Sequence, residues 1–264
     1  MWRMAGVAWE SWTVEAGGCK VHLRRGGAGR PLLILHHETG TLDDLPFYDA
    51  LAARHEVLVP HHPGYSRSPR PDWMRSVRDI AVVYRGLLSE LKVAKPALVG
   101  LGFGGWIAAE MASMAPADLS HLVLVGAMGI KPPQGDILDL AITGYVDYAR
   151  AGFHDQKAFD RLYGELPSVD QLEMWDICRE MSFRIAWKPY MYSQTLPHLL
   201  GSMRAPSLIV WGEEDRVVPQ SAGKRYLEAL PNAWLEIVKN CGHCVDMEQP
   251  EALARLVANF VGRE

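Results

Sequence analysis

Leu98-Val99-Gly100-Leu101-Gly102-Phe103-Gly104-Gly105-Trp106 passes from a strand pattern into a helix pattern with almost nothing between them. Small residues at 100 and 104 let strand and helix pack closely, and residue 102 stands at the apex of the turn. So abrupt a turn strains its apex residue, at about 1–3 kcal/mol for anything but glycine. The spacing is that of G-x-S-x-G, the strand–turn–helix that lifts a nucleophilic serine above a sheet, with glycine in the serine's place. The fold survives such a change easily; an acyl-enzyme does not.

Outward from this turn, Pro31–His36, Val57–Val59, Ala97–Val99, Leu122–Val125 and Ser207–Trp211 are short, nearly all-apolar runs, as strands buried on both faces are. Helical patterns over Leu45–Ala53, Val77–Leu91 and Phe103–Met114 separate most of them. The alternation predicts βαβ units and a mostly parallel sheet. Trp9–Val14 and Lys20–Leu23 flank Gly17-Gly18 and read as an antiparallel hairpin ahead of it. After Ala127 the alternation stops. Residues 131–200 carry helical patterns at Ile137–Ala151, Gln156–Tyr163 and Val169–Ala186 and are rich in Tyr, Trp and Met. Most of these side chains are expected to pack an insert onto the main domain, and a minority to line an apolar pocket. The expected organisation is an α/β core of residues 1–130 and 201–264, with a helical cap, 131–200, inserted after the sixth strand.

Two further pieces fall into place downstream. Trp211-Gly212-Glu213-Glu214-Asp215 sets Asp215 beyond the tip of an apolar strand, and Gly242-His243 follows the next strand, Trp234–Val238. By itself Asp215 would read as a loop carboxylate capping a helix. With His243 and the turn at Gly102 it completes the chain order Ser…Asp…His, and a catalytic pair is the better reading.

Over essentially its whole length the sequence resembles the α/β-hydrolase superfamily. Pro60-His61-His62-Pro63-Gly64-Tyr65-Ser66-Arg67-Ser68 is similar to that family's D-x-P-G-x-G-x-S loop, with His61 replacing the acid and Ser66 the second glycine. Leu35-His36-His37-Glu38-Thr39-Gly40 resembles its H-G-x-x-G oxyanion loop, with His37 where glycine is usual. The resemblance implies an α/β fold with a helical cap and no cofactor. It assigns the oxyanion hole to the backbone N–H of Phe103 and of His37 or Glu38. His36, Trp106, Trp187 and Tyr190 are the expected substrate-binding side chains. Ser66 and Ser68 stand on no such turn and are not expected to replace the nucleophile.

His36, His37, Glu38, His61 and His62 gather at two adjacent strand ends, and imidazole with carboxylate suits zinc or iron. No H-x-x-x-H or H-E-x-x-H spacing is present, however, and neighbours along a loop point in different directions. Satisfied loop histidines are expected, and no metal.

The 264 residues allow one large α/β domain with an insert, but hardly two domains. A net charge of -4 excludes the basic face of a nucleic-acid binder. No run approaches a membrane span, and MWRMAGVAWESW has no apolar stretch followed by a cleavage site. Cys19, Cys178, Cys241 and Cys244 show no dense spacing, so a reduced, cytoplasmic protein is expected, a monomer or homodimer acting on a small molecule. Cys241-Gly242-His243-Cys244 spells C-x-x-C but lies far from the start of any thioredoxin-like unit, so redox chemistry is not expected.

Three functions fit a hydrolase turn without its serine. The favoured one is an enzyme for a small, mostly apolar ester or carbonyl compound. There His243, oriented by Asp215, acts as general base on water or substrate, by direct hydrolysis, C–C cleavage or proton abstraction. A water-sized space beside the imidazole is expected where the hydroxymethyl group is missing. The alternatives are a serine esterase disarmed by a Ser-to-Gly change at 102, and a ligand-binding protein without catalysis.

Overall fold

The structure, a computed structural model, describes residues 7–262. Residues 1–6 and 263–264, the ends of the expected core and the first half of the stretch read for a leader, lie outside the described residues. The strands are β1 (Trp9–Ala16), β2 (Cys19–Gly26), β3 (Pro31–Leu35), β4 (Glu56–Pro60), β5 (Ala97–Leu101), β6 (Leu122–Val125), β7 (Ser207–Gly212) and β8 (Ala233–Val238). They pair as β1-β2-β4-β3-β5-β6-β7-β8 in one sheet. The β1–β2 hairpin joins β4 antiparallel, and every other pairing is parallel.

Among the described residues the α-helices are α1 (Pro46–Ala52), α2 (Val77–Glu90), α3 (Phe103–Met114), α4 (Tyr145–Ala151), α5 (Gln156–Tyr163), α6 (Val169–Ala186), α7 (Leu196–Leu199), α8 (Gln220–Ala229), α9 (Val245–Glu248) and α10 (Pro250–Val261). Side-chain alternation splits the core in two. Leu33 and Leu35 of β3 join α2, α3 and α8 on one face of the sheet, and Leu32 and Ile34 join α1 and α10 on the other. Strands so enclosed need apolar residues at every position, which is why β5 and β6 are buried throughout. α2 starts on a capping box, Ser76 accepting from the Asp79 N–H while the Asp79 side chain accepts from the Ser76 N–H.

The segment inserted between β6 and β7 forms α4 to α7. It departs from expectation over 137–144, where the pattern predicted helix and the chain turns instead. The Asp139 side chain accepts from the Ala141 N–H, Leu138 N–H donates to Val217 O, and the helix begins only after Gly144. An Asx turn there competes with helix nucleation and wins because the segment docks on the loop after β7. Among the described residues, no helix is long and apolar enough to cross a membrane.

Candidate active site

The turn between β5 and α3 fixes the centre. Gly102 has φ 51° and ψ -113°, a conformation that glycine adopts far more readily than other residues. Its N–H donates to Val125 O, and its carbonyl accepts from Gly105 and Met128. Gly104 lets the helix approach closely: a β-carbon there would stand 2.1 Å from Leu35 O. The Gly104 N–H donates to His36 O and the Gly105 N–H to Gly102 O, while the Phe103 N–H at the start of α3 donates to no backbone carbonyl among the described residues.

His243, in the loop between β8 and α9, reaches this point. Its Nδ1 lies 2.9 Å from Asp215 Oδ2, and both side chains are 1% exposed. Asp215 Oδ1 accepts from the Val217 and Val218 N–H groups, so the carboxylate fixes its own loop and the imidazole together. Burial pulls the His243 pKa down, but Asp215, Glu38 and Asp246 outweigh it and raise the value to about 9.

The loop after β3 supplies the rest. His37 Nε2 lies 2.8 Å from Asp246 Oδ1, and Glu38 Oε1 accepts from the Tyr148 hydroxyl of α4 at 3.0 Å. The other polar atoms of these side chains, His37 Nδ1, Glu38 Oε2 and His243 Nε2, are buried without a hydrogen-bond partner. All three face Gly102. A β-carbon at 102 would stand 2.5 Å from His37 Nδ1, 2.9 Å from Glu38 Oε2 and 2.9 Å from His243 Nε2. The space where a side chain at 102 would stand is therefore ringed by two imidazoles and a carboxylate, rather than opening as a simple gap beside His243. A serine placed at this position would have to displace His37 as well as accept the strained φ.

The other expected site residues lie elsewhere. His36 packs away from Gly102, stacked on His62 at 3.6 Å, with Nδ1 on His37 O and Nε2 accepting from the His62 N–H. It has no polar atom left for a substrate. His62 bonds Tyr84 Oη and His36 O, while His61 accepts a long bond from the Arg67 N–H and lies near Asp43. Burial, reinforced by neighbouring histidines, holds the His36 pKa well below its usual range and lowers that of His62 to about 3. His36 and His62 thus have partners at every ring nitrogen, whereas His61 Nε2, 3.7 Å from Asp43, has no hydrogen-bond partner. Neighbouring residues do point differently, but His37 and Glu38 converge because the chain doubles back between His37 and Gly40.

Trp106 is buried, its indole N–H donating to Glu110 within α3. Trp187 is 52% exposed, and the Tyr190 hydroxyl accepts from the Leu140 N–H and donates to Leu138 O, tying its own segment to residues 138–140. None of the three lines the small cavity at His243, which is bounded by Glu38, Tyr148, Phe153, Tyr163, Val217 and Cys244. That cavity holds about 10 Å³, close to the room one water needs. Cys241 and Cys244 are buried free thiols whose pKa values burial and nearby carboxylates raise, the opposite of a redox-active pair. A groove of about 800 Å³ lined by residues of α2 and α3 contains none of these groups.

Sequence reading missed Asp246 and Tyr148. Asp246 follows His243 by three residues, and one turn of α9 brings it back against His37. Tyr148 stood among the cap aromatics with nothing to single it out.

The pattern of the family described as "Alpha/beta hydrolase family" matches residues 32–256. The chain is 27% identical over 264 residues to a 2-hydroxy-6-oxononadienedioate/2-hydroxy-6-oxononatrienedioate hydrolase of Paraburkholderia phymatum, covering 92% of this chain and 91% of that one. It is 28% identical over 269 residues to a 2-hydroxy-6-oxo-2,4-heptadienoate hydrolase of Pseudomonas putida, with 95% and 96% covered. Among solved structures, a meta-cleavage product hydrolase from Pseudomonas fluorescens superposes with a TM-score of 0.79 at 22% identity, covering 95% and 97% of the two chains.

Proposed function

This chain belongs to the alpha/beta hydrolase family, and from that premise we propose that it hydrolyses a small carbonyl compound by direct attack of water, with no acyl-enzyme. One observation carries the reading: the His243–Asp215 pair, 2.9 Å apart, faces a glycine where the family's turn would carry a serine. The pair orients His243 Nε2 toward the reacting position, where it takes the proton of the attacking water. The N–H groups of Phe103 and His37 are the expected donors to the oxyanion that forms on the carbonyl.

The substrate class follows from chemistry and kinship. Relatives along most of the chain are named as hydrolases of 2-hydroxy-6-oxo acids. In such a compound the 2-hydroxy group gives up its proton and C5 takes one, forming the 2-oxo tautomer. Water then adds to the 6-oxo carbon, and the C5–C6 bond breaks with its electron pair delocalised onto the 2-oxo oxygen, which takes a proton to give the 2-hydroxydienoate. A leaving group of that kind needs no covalent enzyme intermediate. The closed cavity requires the cap to move before a substrate of this size enters.

The alternatives have less support. A serine enzyme disarmed at 102 has no use for His37 and Glu38 packed where a β-carbon must stand. A passive receptor has no need of three buried polar atoms left without partners, each costing roughly 1–3 kcal/mol.

Incubation with 2-hydroxy-6-oxo-2,4-heptadienoate tests the reading. Loss of the dienoate absorbance should accompany release of acetate and 2-hydroxypenta-2,4-dienoate, and His243→Ala should abolish both. Turnover undiminished in His243→Ala would refute the mechanism.

A further inference from the structure

The geometry points to a metal site: we propose that His37 Nδ1, Glu38 Oε2 and His243 Nε2 bind one divalent first-row transition ion, of the zinc or ferrous class, against the bare Cα of Gly102. The three side chains are 1–2% exposed, and the atoms named are the ones without hydrogen-bond partners. One ligand atom from each of the three residues lies within 4.8 Å of those from the other two. At the roughly 2.0–2.2 Å that zinc takes to nitrogen and oxygen, each donor closes by less than about 1 Å.

The opposite ends of all three ligands are already held. His37 Nε2 is bonded to Asp246 at 2.8 Å, His243 Nδ1 to Asp215 at 2.9 Å, and Glu38 Oε1 to the Tyr148 hydroxyl at 3.0 Å. A carboxylate on one ring nitrogen fixes the tautomer and turns the other nitrogen's lone pair inward, the outer-shell arrangement that metal-binding histidines need. Two imidazoles and one carboxylate suit zinc or ferrous iron and disfavour magnesium and calcium, which take all-oxygen shells. The small cavity bounded by Tyr148, Phe153, Tyr163 and Val217 lies beside this ring of donors and has room for a water on the ion.

Glycine at 102 acquires a positive reason. The nearest donor, His37 Nδ1, would be only 2.5 Å from any β-carbon there, and an ion among the three would have no room.

Binding stands on the donor geometry alone; the ion's role rests on the hydrolase reading. The ion replaces the serine oxygen with a water ionised near neutral pH. The bound water gives its proton to solvent, the hydroxide oxygen bonds the carbonyl carbon, and the cleaved bond's electron pair leaves with the departing group, which takes a proton from solvent. In the loaded protein His243 acts on the water through the ion; direct proton transfer to its Nε2 belongs to the metal-free protein.

The test uses untagged protein, dialysed against dipicolinate and then titrated with Zn2+ or Co2+ under competition with a chromogenic chelator. We expect one ion per chain, visible Co2+ bands of low-symmetry coordination, and a rise in Tm on loading. His37→Ala and the near-isosteric Glu38→Gln should weaken affinity at least 100-fold, while His61→Gln, beside the site but turned from it, leaves stoichiometry unchanged. Folded wild-type protein that binds neither ion at millimolar concentration would overturn the site, and so would binding unaltered in both ligand variants. Stoichiometric metal without turnover of any 2-hydroxy-6-oxo acid upholds the site and sinks the hydrolase reading. Full turnover at below 0.05 equivalents of metal overturns the role assigned here.

Discussion

Two sets of histidines stand in the loops that follow β3, β4 and β8, and they are built in opposite ways. His36 and His62 stack at 3.6 Å, and all four of their ring nitrogens have hydrogen-bond partners. His37 and His243 each bond a carboxylate through one nitrogen and leave the other unpartnered. Both sets are almost wholly buried, so burial alone does not distinguish them. Saturation does. A ring with every polar atom bonded holds the fold together, and one with a free, aimed nitrogen stores unsatisfied binding energy for something else.

Substitutions break the comparison most sharply. His243→Ala should lower the hydrolase rate about 10²- to 10⁴-fold, the usual worth of a general acid or base, with the circular dichroism spectrum unchanged. His62→Ala should leave the rate per folded molecule within a few-fold. Its effect belongs to stability: losing the bonds to Tyr84 and His36 and opening a cavity should cost about 2–4 kcal/mol in urea unfolding. Equal catalytic losses in the two variants would erase the distinction.

Asp246→Asn probes the outer support of His37. A neutral amide that can present its N–H group to the ring upsets the tautomer, and activity and metal affinity should fall about 10- to 100-fold. Unchanged values would show that Asp246 only packs.

The pH dependence of stability gives a gentler contrast. In metal-free protein His243 holds its proton up to about 9, against 6.5 in the unfolded chain. Its contribution is complete below pH 6.5 and is lost as pH rises to about 9, at no more than about 1.4 kcal/mol per pH unit. His62, with its pKa lowered to about 3, works the other way: its contribution is present above 6.5 and is lost as pH falls toward 3. Urea unfolding across this range should show both slopes, and His243→Ala should remove the alkaline one alone. In kinetics, a free base of pKa about 9 makes activity climb up to that pH, whereas ligation to an ion abolishes the climb at neutral pH.

The fold was legible in sequence because its strands are enclosed on both faces and therefore apolar throughout, as β5 and β6 are. Gly102, Asp215 and His243 were legible because the turn and the strand tips fix where their residues stand. The directions of His36, His37 and Glu38 were not. Three consecutive residues of one loop diverge or converge according to a two-residue reversal at His37–Gly40 that no periodicity encodes. The directions of Trp187 and Tyr190, just after α6, were illegible for a related reason, since an aromatic residue there reads alike whether it faces a pocket, a seam or solvent.

The claim at the centre of this account is that water acts at Gly102 without a covalent intermediate. Rapid-quench intact-mass measurement during turnover of 2-hydroxy-6-oxo-2,4-heptadienoate tests it most directly. The protein should keep its unmodified mass at every time point while acetate accumulates. An acyl adduct that forms and decays at the rate of turnover would contradict it.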